Sequence, residues 1–217
     1  MSSDKPQLWI KICGLTDAAA VSAALQAGVD AIGFVFAPSP RQVQPAQAAR
    51  LAAPARGKAL CIAVTCHPKQ ELLDEIVREF KPDGWQTDIN DLSVLRVPRQ
   101  LPILPVLRSG SPALESPPRR FLFEGPVSGQ GVSGDWQEAA TLARHAQLIL
   151  AGGLRVDNVA AAVATVRPFG VDVSSGVEAL PGHKSPELIA AFVVAARAAH
   201  DRLSATTNTA KTTEIRQ

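Results

Sequence analysis

The sequence lacks most of the marks of a secreted, membrane-bound or nucleic-acid-binding protein. Among 217 residues there are three Cys, an odd number without metal-ligand spacing, which argues against a disulfide framework and against zinc. A reducing cytoplasm fits that cysteine usage. No apolar run approaches the ~20 residues needed to span a bilayer. The polar opening Met1-Ser2-Ser3-Asp4-Lys5 has no apolar core of the signal-peptide kind. The net charge is only +2, too small to argue for nucleic acid or an anionic membrane as partner. What is present is an ordinary globular balance, 46% apolar and 19% charged, in a chain long enough to bury a full core as one domain.

A short β-branched run followed by a longer Ala-rich segment recurs along the chain. The runs 8–12, 31–36, 60–65, 84–87, 103–107, 121–124, 147–151 and 171–173 read as strands. Helices are expected over 17–27, capped by Thr16 or Asp17 and stopped by Gly28, and over 45–53, 68–80, 135–144, 156–166 and 186 to about 203. A weak helix is expected near 91–97. The stretch 109–118 holds three Pro, so a fifth helix is short or missing. About eight strand–helix units in ~200 residues is the arithmetic of a closed (β/α)8 TIM barrel with parallel strands. A doubly wound open sheet would normally stop at five or six strands, and no Gly-x-Gly-x-x-Gly follows the first one. The barrel is expected to fill 1–203, and the Thr-rich polar tail 204–217 to be disordered and without function.

In such a fold the strand C-termini carry the chemistry. Cys13 ends the first strand at a Gly turn, where it is either a small buried hydrophobe or a reactive thiol. Glu124 ends the sixth strand, where a carboxylate is costly in the core and is expected at the rim, either catalytic or paired with a nearby Arg. Arg41 follows Pro38-Ser39-Pro40 and can clamp a carboxylate with its planar fork or lie solvated. The last three strands end in Gly-rich loops. These contain Gly129 and Gly131, then Gly152 and Gly153, then Ser174, Ser175 and Gly176. Adjacent loops of this kind bring backbone N–H groups close to a phosphate. Asp172 either orients a neighbour or bonds loop amides. Cys61, Cys66 and the four His read as structural or surface residues. A thiol base, a carboxylic acid, a carboxylate clamp and a phosphate cradle suit proton transfer on a phosphorylated sugar, with no metal or redox cofactor required.

These residues, in this order, resemble the phosphoribosylanthranilate isomerase family up to about Val194. The landmarks are Lys11-Ile12-Cys13-Gly14, Asp30-Ala31-Ile32-Gly33-Phe34, Ser39-Pro40-Arg41, Leu150-Ala151-Gly152-Gly153-Leu154 and Val171-Asp172-Val173-Ser174-Ser175-Gly176-Val177-Glu178. The resemblance implies an Amadori rearrangement of N-(5-phosphoribosyl)anthranilate to 1-(2-carboxyphenylamino)-1-deoxyribulose 5-phosphate in tryptophan biosynthesis. It implies Cys13 as the base at C2′ and Glu124 as the acid on the ring oxygen. It also implies that Arg41 grips the anthranilate carboxylate and that the Gly loops hold the phosphate. Lys11 points to the same side of its strand as Cys13 and is expected to lower the thiol pKa.

Two departures stand out. The family's acid is usually Asp, and Glu124 carries an extra methylene that moves the carboxyl by ~1.5 Å. Gln86-Thr87-Asp88 stands where the family often reads Gln-Leu-His-Gly, so Gln86 is kept as a substrate contact. Asp88 replaces the His and ranks well below Glu124 as a rescue acid. A related aminoaldose isomerase of histidine synthesis would want carboxylates at both positions, which Cys13 opposes. A non-catalytic phosphosugar-binding barrel is the other reading. The expected partner is a small phosphosugar, and the expected state a monomer, since no exposed apolar helix face stands out.

Overall fold

Strand propensity and alternation act together in Trp9-Ile10-Lys11-Ile12-Cys13, where every second residue is aliphatic and buried. The computed structural model describes residues 7–111, 117–126 and 135–214, and eight strands form its barrel. The strands are β1 (Trp9–Cys13), β2 (Ala31–Val35), β3 (Leu60–Val64), β4 (Gly84–Asp88), β5 (Ile103–Arg108), β6 (Arg120–Glu124), β7 (Gln147–Leu150) and β8 (Gly170–Val173). All neighbours are parallel, and β8 pairs back to β1, closing the barrel. The fold is the expected (β/α)8 barrel, and strand ends agree with the sequence reading to within one or two residues.

Because side chains alternate, residues opposite one another across the register face the same side. Cys13 pairs with Gly33, Val64 with Gln86, Asp88 with Val106, Arg108 with Glu124, and Asp172 with Lys11. These positions form the barrel's inner set. Towards the bottom of the barrel the interior is filled by Leu104, Val106, Leu122 and Ile149 with Trp9 and Phe169. The outer set, including Ile10, Phe34, Trp85, Phe121 and Phe123, packs against α1 (Ala18–Gln26), α2 (Pro45–Ala52), α3 (Gln70–Glu75), α4 (Trp136–Ala143), α5 (Val159–Val166) and α6 (Pro186–Glu214). Among the described residues no helix is long and apolar enough to cross a membrane.

Several expected boundaries are corrected. The helix expected over 68–80 is α only from Gln70–Glu75 and then widens to a π-turn over Ile76–Phe80, ending at Lys81 with φ 53°. The weak helix expected near 91–97 is a 3-10 segment at Ile89–Ser93, drawn forward because the Asp88 side chain accepts the Asn90 N–H. The helix expected from Val156 starts at Val159. Before it, the Asn158 side chain accepts from Arg155 N and donates to the Gly153 carbonyl, holding a turn. No helix lies between β5 and β6 among the described residues; 112–116 lie outside them. The last helix, expected to end near 203, continues to Glu214, as neither Gly nor Pro follows Pro186 to stop it. An unexpected hairpin, β9 (Glu178–Leu180) with β10 (His183–Lys184), follows β8.

Candidate active site

The site begins at the end of β1. Lys11 is fully buried and its Nζ lies 2.8 Å from Asp172 Oδ1, across the seam where β1 meets β8. A Cβ at Gly33 would stand 3.1 Å from Cys13 Sγ and 3.2 Å from Lys11 Nζ, so glycine there leaves room for thiol and ammonium side by side. Cys13 is only 6% exposed. Burial pushes its thiol up, Lys11 pulls it down, Asp172 pushes it up again and Lys184 pulls it down; the net direction is up. The expectation that Lys11 leaves Cys13 with a lowered pKa is therefore corrected. The lysine contributes in the expected sense, but desolvation outweighs it. For Lys11, burial favours the neutral amine, yet Asp172 and Cys13 raise its pKa overall, so it stays an ammonium.

Across the mouth, the Glu124 side chain is 13% exposed and accepts a 2.7 Å hydrogen bond from Arg108 NH1. The other edge of the same guanidinium reaches Asp88 Oδ2 at 3.1 Å. The two positions that depart from the family pattern are thus joined by one arginine. Arg108 was not singled out in the sequence. Its signal was the position itself, the last residue of the fifth strand, equivalent in register to Glu124.

Arg41 is held bidentately by Glu178, with Nε at 2.6 Å and NH2 at 2.9 Å. Glu178 also accepts from Lys184 Nζ at 2.7 Å, and that ammonium donates to the Ser174 carbonyl and hydroxyl as well. Burial pushes the Glu178 carboxyl up, but the hydrogen bonds from Arg41 and Lys184 outweigh it and hold it below its usual range. One edge of the Arg41 fork is therefore occupied, and among the described residues NH1 has no ion-pair partner.

The late-strand loops approach one another closely. Gly152 and Gly153, with φ 84° and 64°, lead out of β7 in the left-handed region, where other residues are strained. A side chain at Gly176 would strike the Leu154 carbonyl, so glycine lets the loop after β8 rest against the loop after β7. Gly129 and Gly131 lie outside the described residues.

A cavity of ≈ 270 Å³ is lined by Cys13, Arg41, Gln86, Glu124, Gly152, Gly153, Asp172, Ser174 and Ser175, all expected from sequence. Lys11 sits behind this lining rather than in it, in contact with Asp172. Thr65 and Cys66 from the loop after β3 join the lining. Cys66, read as structural or surface, is exposed at the cavity edge. The buried Gln86 Oε1 has no hydrogen-bond partner among the described residues, an acceptor that suits a donor on a ligand.

Comparison with known proteins agrees with this geometry. A family model described as N-(5'phosphoribosyl)anthranilate (PRA) isomerase matches residues 10–195. The N-(5'-phosphoribosyl)anthranilate isomerase of Mesorhizobium japonicum is 39% identical over 211 residues, covering 88% of this chain and 96% of that protein. That of Afipia carboxidovorans is 40% identical, covering 88% and 90%. Among solved structures, TrpF from Jonesia denitrificans superposes with a TM-score of 0.74 at 36% identity, covering 88% of this chain and 98% of the other. A phosphoribosyl anthranilate isomerase in complex with reduced 1-(o-carboxyphenylamino)-1-deoxyribulose 5-phosphate has a TM-score of 0.70 at 25% identity, covering 88% and 99%. Strand order, the residues gathered at the mouth and a match along nearly the whole barrel lead to one conclusion: the chain belongs to the N-(5'-phosphoribosyl)anthranilate isomerase family.

Proposed function

We propose that this barrel isomerises N-(5-phosphoribosyl)anthranilate by acid–base catalysis, with Glu124 as acid and Cys13 as base. The observation that carries the reading is the register. It sets Cys13 and Glu124 on the inner face at the ends of β1 and β6, lining one cavity with the Gly152-Gly153 loop. Glu124 gives its proton to the furanose oxygen, and the ring opens to the protonated Schiff base. Cys13 as thiolate then takes the C2′ proton, leaving the enolamine that tautomerises to the aminoketose. The Gly152-Gly153 and Ser174-Ser175-Gly176 loops hold the phosphate through backbone N–H groups, and Arg41 meets the anthranilate carboxylate with NH1. Gln86 accepts from a substrate donor. Lys11 acts through Cys13. The free thiols suit a reducing cytoplasm.

Catalysis needs a Cys13 thiolate beside a protonated Glu124, and with Cys13 shifted upward the thiolate is the minority form at neutral pH. The pH profile of kcat/KM is expected to show two limbs, with the alkaline one belonging to Cys13. The test follows the fluorescence decay of freshly made phosphoribosylanthranilate with the wild type, Cys13→Ser and Glu124→Ala. Each variant is expected to lose at least ~100-fold in kcat. Retained turnover in Glu124→Ala would sink the acid assignment, and substrate binding without decay in the wild type would favour a binding barrel.

A further inference from the structure

The corner occupied by Glu124 holds a second carboxylate and one arginine between them. The Arg108 fork gives NH1 to Glu124 and NH2 to Asp88, at 2.7 and 3.1 Å. All three side chains are largely buried, with exposures of 8% for Asp88, 13% for Glu124 and 19% for Arg108. They come from consecutive strands, Arg108 directly opposite Glu124 and two residues beyond Val106, the partner of Asp88, so the backbone sets all three on one face. We propose that Arg108 is a positioning residue that anchors the longer Glu124 side chain, and that Asp88 shares its charge so that Glu124 can carry the catalytic proton. This rests on Glu124 as the acid.

An arginine paired with a single carboxylate favours the ionised form, which is wrong for a proton donor. With Asp88 on its other edge, Arg108 keeps an anionic partner when Glu124 is protonated. As the proton moves to the ring oxygen, negative charge develops on Glu124 and Arg108 is already in place to meet it, so the contact strengthens in the transition state. The fork also limits the freedom of a side chain one torsion longer than Asp. The two departures from the family pattern thus form one unit. Other charged groups near this corner are His67 and Glu138, which line a neighbouring cavity with Asp88 and Arg108. His67 is tied to Asp91 at 2.7 Å, and Glu138 accepts from Ser109 at 2.7 Å. Across the mouth stand Cys13, Arg41 and Asp172. None of these changes in the variants below.

The experiment is the pH profile of kcat/KM, with kcat and KM measured separately, for Asp88→Asn, Arg108→Gln and Arg108→Lys. Asp88→Asn leaves the arginine facing Glu124 alone, so the Glu124 limb is expected to move to lower pH by about one unit. Arg108→Gln leaves two neighbouring carboxylates, so the same limb is expected to move to higher pH. In that variant kcat falls ~10- to 100-fold with KM changed less than ~3-fold. Arg108→Lys, which keeps the charge and loses the fork, is expected to return the limb towards the wild-type position with part of kcat. Shifts in opposite directions are the signature of charge sharing. If both neutralising variants leave the limb in place, or alter only melting temperature or KM, the proposal is overturned. If Glu124→Ala keeps turnover, the acid assignment fails instead, and the two failures are distinguishable.

Discussion

At Cys13 two forces oppose each other within a few ångströms. Burial disfavours the thiolate, and the neighbouring ammonium groups favour it. The first wins in the resting protein. A raised pKa means that the thiolate appears only at higher pH than for an ordinary thiol, whose value is ~8.5. Alkylation of the wild type by iodoacetamide, with Cys13 followed by mass spectrometry, is therefore expected to keep accelerating above that pH. A midpoint below it would show that Lys11 and Lys184 prevail. The residue type and its strand-end position were legible in the sequence. The sign of the shift was not, because it depends first on burial, which the closed barrel imposes, and then on Asp172 and Lys184, brought to Cys13 from far along the chain.

At the scale of the element, the β9–β10 hairpin works as a strap. Thr16 donates to the Gly182 carbonyl, and Gly182 packs against Pro40, so the hairpin spans the loops after β1 and β2. On its inner side Glu178 binds Arg41 and Lys184 together. Glu178→Gln is expected to cost about 1–3 kcal/mol in urea unfolding at neutral pH, since it loosens two charged hydrogen-bond partners. It should also raise KM through Arg41 more than it lowers kcat. The sign with pH follows from the depressed carboxyl. Its contribution is present above the unfolded carboxylate pKa and is lost as pH falls through the lower folded value. The difference between wild type and variant should therefore shrink on acidification, and an equal difference at pH 7 and in strong acid would contradict it. Glu178 was visible in the sequence as part of a motif. Its hold on Arg41, 137 residues away in sequence, was not.

Over the whole molecule, the barrel closes where β8 returns to β1, and the buried Lys11–Asp172 pair crosses that seam. Replacing one partner strands the other charge in the interior. Lys11→Met is expected to destabilise the protein by about 3–5 kcal/mol, and Lys11→Met with Asp172→Leu to recover a good part of that loss. Chemical denaturation of the single and double variants measures the coupling, and additive losses would mean that the pair does not matter to closure. The fully buried Lys11 thus bears on both stability and the base beside it.

The sequence by itself determined the order of elements and the kind of chemistry. Short β-branched runs alternating with Ala-rich segments point to parallel strands with helical crossovers, and eight such units in ~200 residues are the arithmetic of a closed sheet. Because strand ends share one rim, the sequence alone points Cys13, Glu124, Arg41 and the Gly-rich loops to a common mouth. Only the tertiary structure decided how charge is distributed there. Barrel register set Arg108 between Glu124 and Asp88, gave one edge of the Arg41 fork to Glu178, and placed Cys13 where desolvation outweighs Lys11. The physical reason is range. Propensity and periodicity act between neighbours in the chain, whereas ion pairing and desolvation depend on which distant strands the closed sheet makes adjacent.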